Sequence, residues 1–491
     1  MRWIRGGFQL TLAVFLLSSC DDDATTGLST VVETVAVIPG VFSLVVGDTV
    51  RLVTLARGEV GNPVVGPDVV WATSSPSVVT LSATGLATAV GPGAAIVTAT
   101  IEGKVGTATA TVSPNFGTVA FTAVIAGGAH SCALTSIGSA YCWGRSESGQ
   151  LGVPPPGTTC LDTPLACGLV PFPVDGGLKF ERLSAGGAHT CGLTSDGAAW
   201  CWGSNSSGQL GDGSLTARSA PVAVATDERF TRIVSGQAHT CAMTSSGTAW
   251  CWGHNQSGQL GDGTTQRRTT PVQVVAPGVT FQQIVVGGSS FRGFSCGLAN
   301  TGITYCWGVN DRGQLGRGSQ DFDPHPQPAP ISGGYAFRSV TAGFGDHVCG
   351  LNAAGAPYCW GGGGSGELGD GGGNDSLLPL AVPGGVTFVQ IVTGGPSGDQ
   401  AFTCGLTSSG AAYCWGSNSA GSIGDGTVGG VRKPVAVTGG LQFESISAGF
   451  RHTCGRTVTG TLYCWGSGSV GQLGCNYRVV SAVPLKVAGQ P

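Results

Sequence analysis

Phe230-Thr-Arg-Ile233, His239-Thr-Cys241, Trp250-Cys-Trp-Gly253, Gly258-Gln-Leu-Gly261 and Pro271-Val-Gln-Val274 follow one another along the chain. The same set, with variations, recurs from Phe121 to the C-terminus. Its cysteines pair off as Cys132/Cys142, Cys191/Cys201, Cys241/Cys251, Cys296/Cys306, Cys349/Cys359, Cys404/Cys414 and Cys454/Cys464. Successive units start about 50 to 60 residues apart, the length of a four-stranded propeller blade. Between Cys191 and Cys201 lie two strand ends and Ser195-Asp-Gly197. This is a three-residue hairpin loop, with Gly in the left-handed position that closes a bulge. That register sets the two cysteines opposite each other, Trp200 opposite Gly192 and Trp202 opposite Thr190. The residue facing the first aromatic is small in every unit: Ala133, Gly192, Ala242, Gly297, Gly350, Gly405 or Gly455.

Composition agrees with many short strands joined by turns. The 491 residues include Gly 86 and Pro 26, with only 10% charged side chains. Disorder is excluded, because disordered chains are charge-rich and poor in β-branched and aromatic residues. Collagen is excluded by the lack of a three-residue Gly period. A helical bundle is disfavoured, since each interior Gly costs about 1 kcal/mol. The fold class is therefore all-β.

Arg2 and Arg5 precede an apolar stretch from Phe8 to Leu17. It is shorter than the about 20 residues a membrane span needs and suits a signal-peptide core. It ends in Leu17-Ser-Ser-Cys20, which resembles the lipobox of bacterial lipoproteins, where the cysteine is diacylated. Residues 1–19 are read as the signal peptide, and 20–30 as lipidated Cys20 and its linker. Without Arg2 and Arg5, 21 basic side chains face 27 acidic ones. A mildly acidic protein offers no footprint for nucleic acid.

Opposed cysteines in an exported protein oxidise. The alternatives are free cysteines used as small core residues, or zinc, whose tetrahedral sites favour closer ligand spacing. Cys160 and Cys167 lie in an insertion and can close a local loop. Cys475 is left over: free, paired between chains, or exchanged into the Cys160/Cys167 pair. The array starts at Phe121 with no Pro-Val-x-Val strand before it and ends on Pro484-Leu-Lys-Val487. The expectation is that this last strand completes the first blade and closes the ring.

Residues 31–113 alternate apolar and small polar residues in short runs, as in a small β-sandwich. Val46-Gly-Asp-Thr49, Trp71 with Ser74-Ser-Pro76, and Gly85-Leu-Ala-Thr-Ala89 resemble a group 2 bacterial immunoglobulin-like domain. This resemblance implies a spacer or adhesive unit, with Trp71 in its core. Residues 117–491 resemble the regulator of chromosome condensation repeat family, through His239-Thr-Cys-Ala-Met-Thr244, Trp250-Cys-Trp-Gly-His-Asn255 and Gly258-Gln-Leu-Gly-Asp-Gly263. The resemblance implies a seven-bladed β-propeller. The cysteine pair in every unit departs from the family and suggests an exported bacterial branch. The family's nucleotide-exchange activity is not carried over, since no residue here singles out that site.

Recurring His130, His189, His239, His347 and His452 are read as a repeat signature that hydrogen-bonds neighbouring backbone, and not as metal ligands. Asp212, Asp262, Asp370 and Asp425 are read as Asx-turn residues. No catalytic constellation, metal site or cofactor motif stands out. Three consecutive units lengthen the loop before the His position: Ser289 to Phe294, Phe344-Gly-Asp346 and Pro396 to Gln400. Insertions clustered on one face suggest a binding patch. The candidates are Phe291, Arg292, Asp321, Phe322, His325, Asp346, Asp399 and Gln400. The expectation is a monomeric, non-catalytic lipoprotein of the cell envelope, anchored only through its lipid, that binds protein or glycan. The alternatives are an inhibitor or regulator of an extracytoplasmic enzyme, resembling β-lactamase inhibitory protein II, then nucleotide exchange, or a propeller hydrolase or lyase.

Overall fold

A computed structural model of the chain describes residues 31–58, 61–64, 68–116, 120–153, 166–289, 291–396, 398 and 400–490. The signal-peptide reading, Cys20, Cys160 and Asp399 lie outside the described residues. The described chain is all-β.

The N-terminal unit packs one sheet against another. Val41–Val45, Lys104–Ser113, Gly93–Ile101 and Val70–Thr73 form the first, and Thr49–Arg51, Leu86–Ala89 and Val79–Leu81 the second. Alternation along the strands points Val97, Ala99, Ala108, Ala110 and Val112 inward. Trp71 packs half-buried against this core.

Seven four-stranded antiparallel sheets follow, each built from consecutive strands. In the second blade these are Phe180–Ala185, His189–Thr194, Ala199–Gly203 and Arg218–Ala223. The first strand of each blade lines an axial cavity of about 220 Å³, bordered by Ala126, Ser184, Ser235, Val286, Phe344 and Thr393. The Pro-Val strand is therefore the outermost and last of its own blade, not the first of the next. This corrects the expected closure. The C-terminal strand Val480–Lys486 pairs with Leu462–Ser467 of blade seven, not with blade one.

Closure comes instead from packing between blades. Trp465 Nε1 donates to the Ser422 carbonyl of blade six, and Trp143 of blade one donates to the Gln472 carbonyl of blade seven at 2.9 Å. The same step, from the Trp of one blade to the Gly-Gln-Leu-Gly-type loop of the preceding blade, recurs around the ring. Near the axis, backbone bonds join several neighbouring blades, with Gly128 N–H on Gly186 O, Gly187 N–H on Gly236 O, and Phe450 N–H on Gly127 O.

Each hairpin carries the expected register, with Cys191 opposite Cys201, Gly192 opposite Trp200 and Thr190 opposite Trp202. Gly197 has φ +79°, and a Cβ there would stand 2.9 Å from the Phe230 carbonyl of the next blade. The small residue opposite the aromatic answers to a different neighbour than the cross-strand ring. A Cβ on Gly192 would lie 2.5 Å from the Phe180 ring of the first strand.

Every blade holds one disulfide between its second and third strands. The bonds join Cys132 to Cys142, Cys191 to Cys201, Cys241 to Cys251 and Cys296 to Cys306. They continue with Cys349 to Cys359, Cys404 to Cys414 and Cys454 to Cys464. The paired Cα atoms are 4.0 to 4.1 Å apart. Cys167 is also disulfide-bonded, whereas Cys475 is a buried free thiol.

Candidate binding face

The meander sends two loops of every blade to one face: the one before the His strand and the long Gly-Gln-Leu-Gly connection. The recurring histidines sit beneath this face, fully buried. His130 Nε2 meets Thr190 Oγ1 of the next blade at 2.9 Å, and His189, His239, His347 and His452 repeat the step with Thr240, Ser295, Thr403 and Ser131. Those hydroxyls donate their proton to the carbonyl that also receives the Trp indole. The hydroxyl must then accept, so the imidazole proton sits on Nε2. The partner is a side chain of the neighbouring blade, not backbone. Burial lowers the pKa of His130 to about 4 and those of His189, His239, His347 and His452 to about 3. These rings are neutral interblade ties.

The disulfides are no part of the face either. Cys142, Cys201, Cys251, Cys306, Cys359, Cys414 and Cys464 lie within the third strand of their blades, fully buried, as do their partners in the second. Sulfurs so enclosed staple the hairpin and are out of reach of a ligand or a redox partner.

The Asp of the long loop bonds locally. Asp212, Asp262, Asp370 and Asp425 each accept the N–H two residues on, the geometry of an Asx turn. Among the described residues, no group of three or more His, Cys, Asp or Glu side chains could hold a metal ion.

The lengthened loops on blades four to six are different. Ser289 N–H bonds the Arg292 carbonyl at 3.2 Å. Phe291 is 72% exposed and meets His254 of blade three edge-on, 5.8 Å between centroids. Arg292 forms an ion pair with Asp311 and lies 5.8 Å over the ring of Phe322, which is 83% exposed. Asp346 enters from blade five and accepts the Gly398 N–H of blade six at 3.3 Å. Burial, with the Asp311 carboxylate adding, raises its pKa to about 6 against the pull of that N–H, Arg312 and Arg292. Phe291, Arg292, Phe322 and Asp346 thus fall into one neighbourhood.

The other candidates lie around it. His325 Nε2 donates to Asp321 at 2.7 Å, while Nδ1 faces the Arg317 guanidinium at 3.1 Å. Burial pushes the Asp321 pKa up, but hydrogen bonds from Asn310 and His325 hold it below the ordinary value. Gln400 is turned toward blade seven, bonded to Arg451. Sequence reasoning missed Asp311, Arg312 and Asp375, of which the last two are paired at 3.3 Å. The available signal was template deviation. Asp311-Arg312 stands where blade three has Gln256-Ser257, and Gly363 replaces the recurring Asn, with Asp375 accepting its N–H. Also missed was the edge-on pair Phe344–Phe450, 4.8 Å apart, joining non-adjacent blades five and seven. The face offers exposed rings, ion pairs and one carboxyl that titrates near neutrality, which are means of binding.

Residues 91–398 match the family described as RCC1-like domain, and 397–422 and 443–472 match the regulator of chromosome condensation (RCC1) repeat. Residues 31–112 match the bacterial Ig-like domain (group 2). The ultraviolet-B receptor UVR8 of Arabidopsis thaliana is 30% identical over 333 residues, 67% of this chain and 61% of that protein. The E3 ubiquitin-protein ligase HERC2 of Homo sapiens is 28% identical over 67% of this chain but only 6% of its own length. The chain thus spans less than two thirds of these relatives. Human WBSCR16 shares the fold with TM-score 0.60 at 21% identity, covering 69% of this chain and 87% of that one. Yeast RCC1 (Prp20), solved bound to Kap60, has TM-score 0.60 at 19% identity, covering 75% and 84%.

Proposed function

Because the chain belongs to the RCC1-like propeller family and carries a group 2 bacterial Ig-like domain, we propose that it is an exported, non-catalytic binding protein of the bacterial envelope. Its propeller face recognises a protein ligand, and the Ig-like unit spaces that face from a lipid anchor on Cys20. The observation that carries the reading is the neighbourhood of Phe291, Arg292, Phe322 and Asp346, where two rings stand in solvent beside ion pairs. Exposed aromatic and Arg side chains are the residue types that dominate protein interfaces. The disulfides support a compartment outside the reducing cytosol. The anchor reading is supported by Leu17-Ser-Ser-Cys20.

The test is quantitative cross-linking in envelope extract, comparing the parent with the Phe291→Ala/Phe322→Ala double variant. A defined partner should be captured by the parent and lost, tenfold or more, from the variant, since two interface anchors carry about 1–2 kcal/mol each or more. Equal capture by both proteins would remove the insertion face from consideration.

A further inference from the structure

Arg292 shows what the face can hold. Its side chain is half-exposed. Its guanidinium is paired with Asp311, whose side chain is only 9% exposed, and covers one side of the Phe322 ring. A second carboxylate, Asp346, reaches the same place from blade five. Carboxylate plus aromatic face is the combination that holds a Lys or Arg side chain. Here the cation comes from the chain itself, from Arg292. Only the Arg292 end of the pair is half-exposed, so Arg292 can give way to another cation that keeps the Asp311 carboxylate paired. Around it Asp311, Asp321, Asp346 and Asp375 face Arg292, Arg312 and Arg317, an excess of negative charge that Arg292 only partly offsets. Phe291, next to it in the chain, supplies an exposed apolar surface.

We propose that this is a docking seat for a basic side chain flanked by apolar residues on a partner protein, and that Arg292 occupies the seat until the partner arrives. The proposal rests on the insertion face being the binding face. It adds the chemistry of the partner and a displaceable internal occupant. An acidic segment would meet the carboxylates. A cationic one gains both them and the ring.

A random dodecapeptide phage library selected against the whole chain supplies the probe, and fluorescence anisotropy of the enriched peptides measures it. The peptides should carry Lys or Arg between apolar residues. Affinity should fall about tenfold when that residue becomes Gln or when Phe322→Ala or Asp346→Asn is introduced, the loss of one cation–π contact or one charge pair. Arg292→Ala should raise affinity about threefold or more by emptying the seat. Peptides without a basic residue that still need Phe322 would keep the face and overturn the seat. Weaker binding by Arg292→Ala would overturn the displacement. Peptides that bind Phe322→Ala as well as the parent, or no enrichment at all, would overturn the face and the seat together. Thermal midpoints near the parent's show that each variant is folded.

Discussion

Five buried histidines in a ring invite a metal or acid–base role, and their surroundings refuse both. Each ring is desolvated, with a hydroxyl of the next blade as partner for Nε2. The chain also contains its own substitution experiment. At the junction of blades four and five the His is Phe294 and the hydroxyl is Val348, and both lie in one apolar cluster. His189→Phe with Thr240→Val transplants that pair to the junction of blades two and three. At pH 7.5 the double variant should lie within about 1–2 kcal/mol of the parent, because both partners of a buried hydrogen bond leave together. Its pH dependence should change more. The folded pKa of His189 is about 3 against an ordinary 6.5. Its contribution is therefore full above 6.5 and lost as pH falls toward 3, since only the unfolded chain takes up the proton. Between pH 6.5 and 5 the variant should lose about 2 kcal/mol less stability than the parent. Urea unfolding at the two pH values measures this. Parallel losses would mean that the ring is not held neutral.

At the scale of the hairpin, three residues of loop determine almost everything. Gly197 in its left-handed conformation fixes the register, and the register brings the sulfurs together. The bond spans ten residues. The chain-entropy account puts a loop of that length at about 2–3 kcal/mol. Replacing Cys241 and Cys251 by Ala should lower stability by that amount, read from the denaturant midpoint. Unreduced, denatured protein should titrate Cys475 but neither Cys167 nor the fourteen cysteines paired within the blades, from Cys132 and Cys142 to Cys454 and Cys464. A dozen reactive thiols would contradict the stitching. The hairpins were legible because a loop of fixed length leaves one register for seven copies. The phase of the blade was not. The outer strand Arg218–Ala223 lies six residues before the next Phe strand but fourteen after the Trp strand of its own blade, so proximity in sequence misassigns it. The long connection covers the Trp of the next blade, as Gly211 beside the Trp252 indole shows. The insertion face was half legible for a similar reason. Phe291, Arg292, Phe322 and Asp346 announce themselves as additions to the repeat, whereas Asp311, Arg312 and Asp375 are substitutions within it.

For the whole molecule, the consequence is a ring with no special seam. Among the described residues, no strand is shared between the first and last blades. Blade seven meets blade one through Trp143 and Ser131 on the Gln472 carbonyl, as blade two meets blade three through Trp252 and Thr240 on Gln209. Phe121, Trp143, Leu462, Leu473 and Val487 form one core across the junction. Both tryptophans are fully buried. Truncating a buried Trp to Ala costs about 3–5 kcal/mol, with the spread set by how far the site collapses. Trp143→Ala and Trp252→Ala should therefore destabilise the propeller to the same extent, within about 1 kcal/mol, although one lies at the join of the chain ends and the other between consecutive blades. Paired denaturant unfolding of the two variants decides it. A much smaller cost for Trp143→Ala would mean that the ends part before the rest of the ring unfolds. The insertion face on blades four to six would then ride on an open arc that still holds its own neighbours.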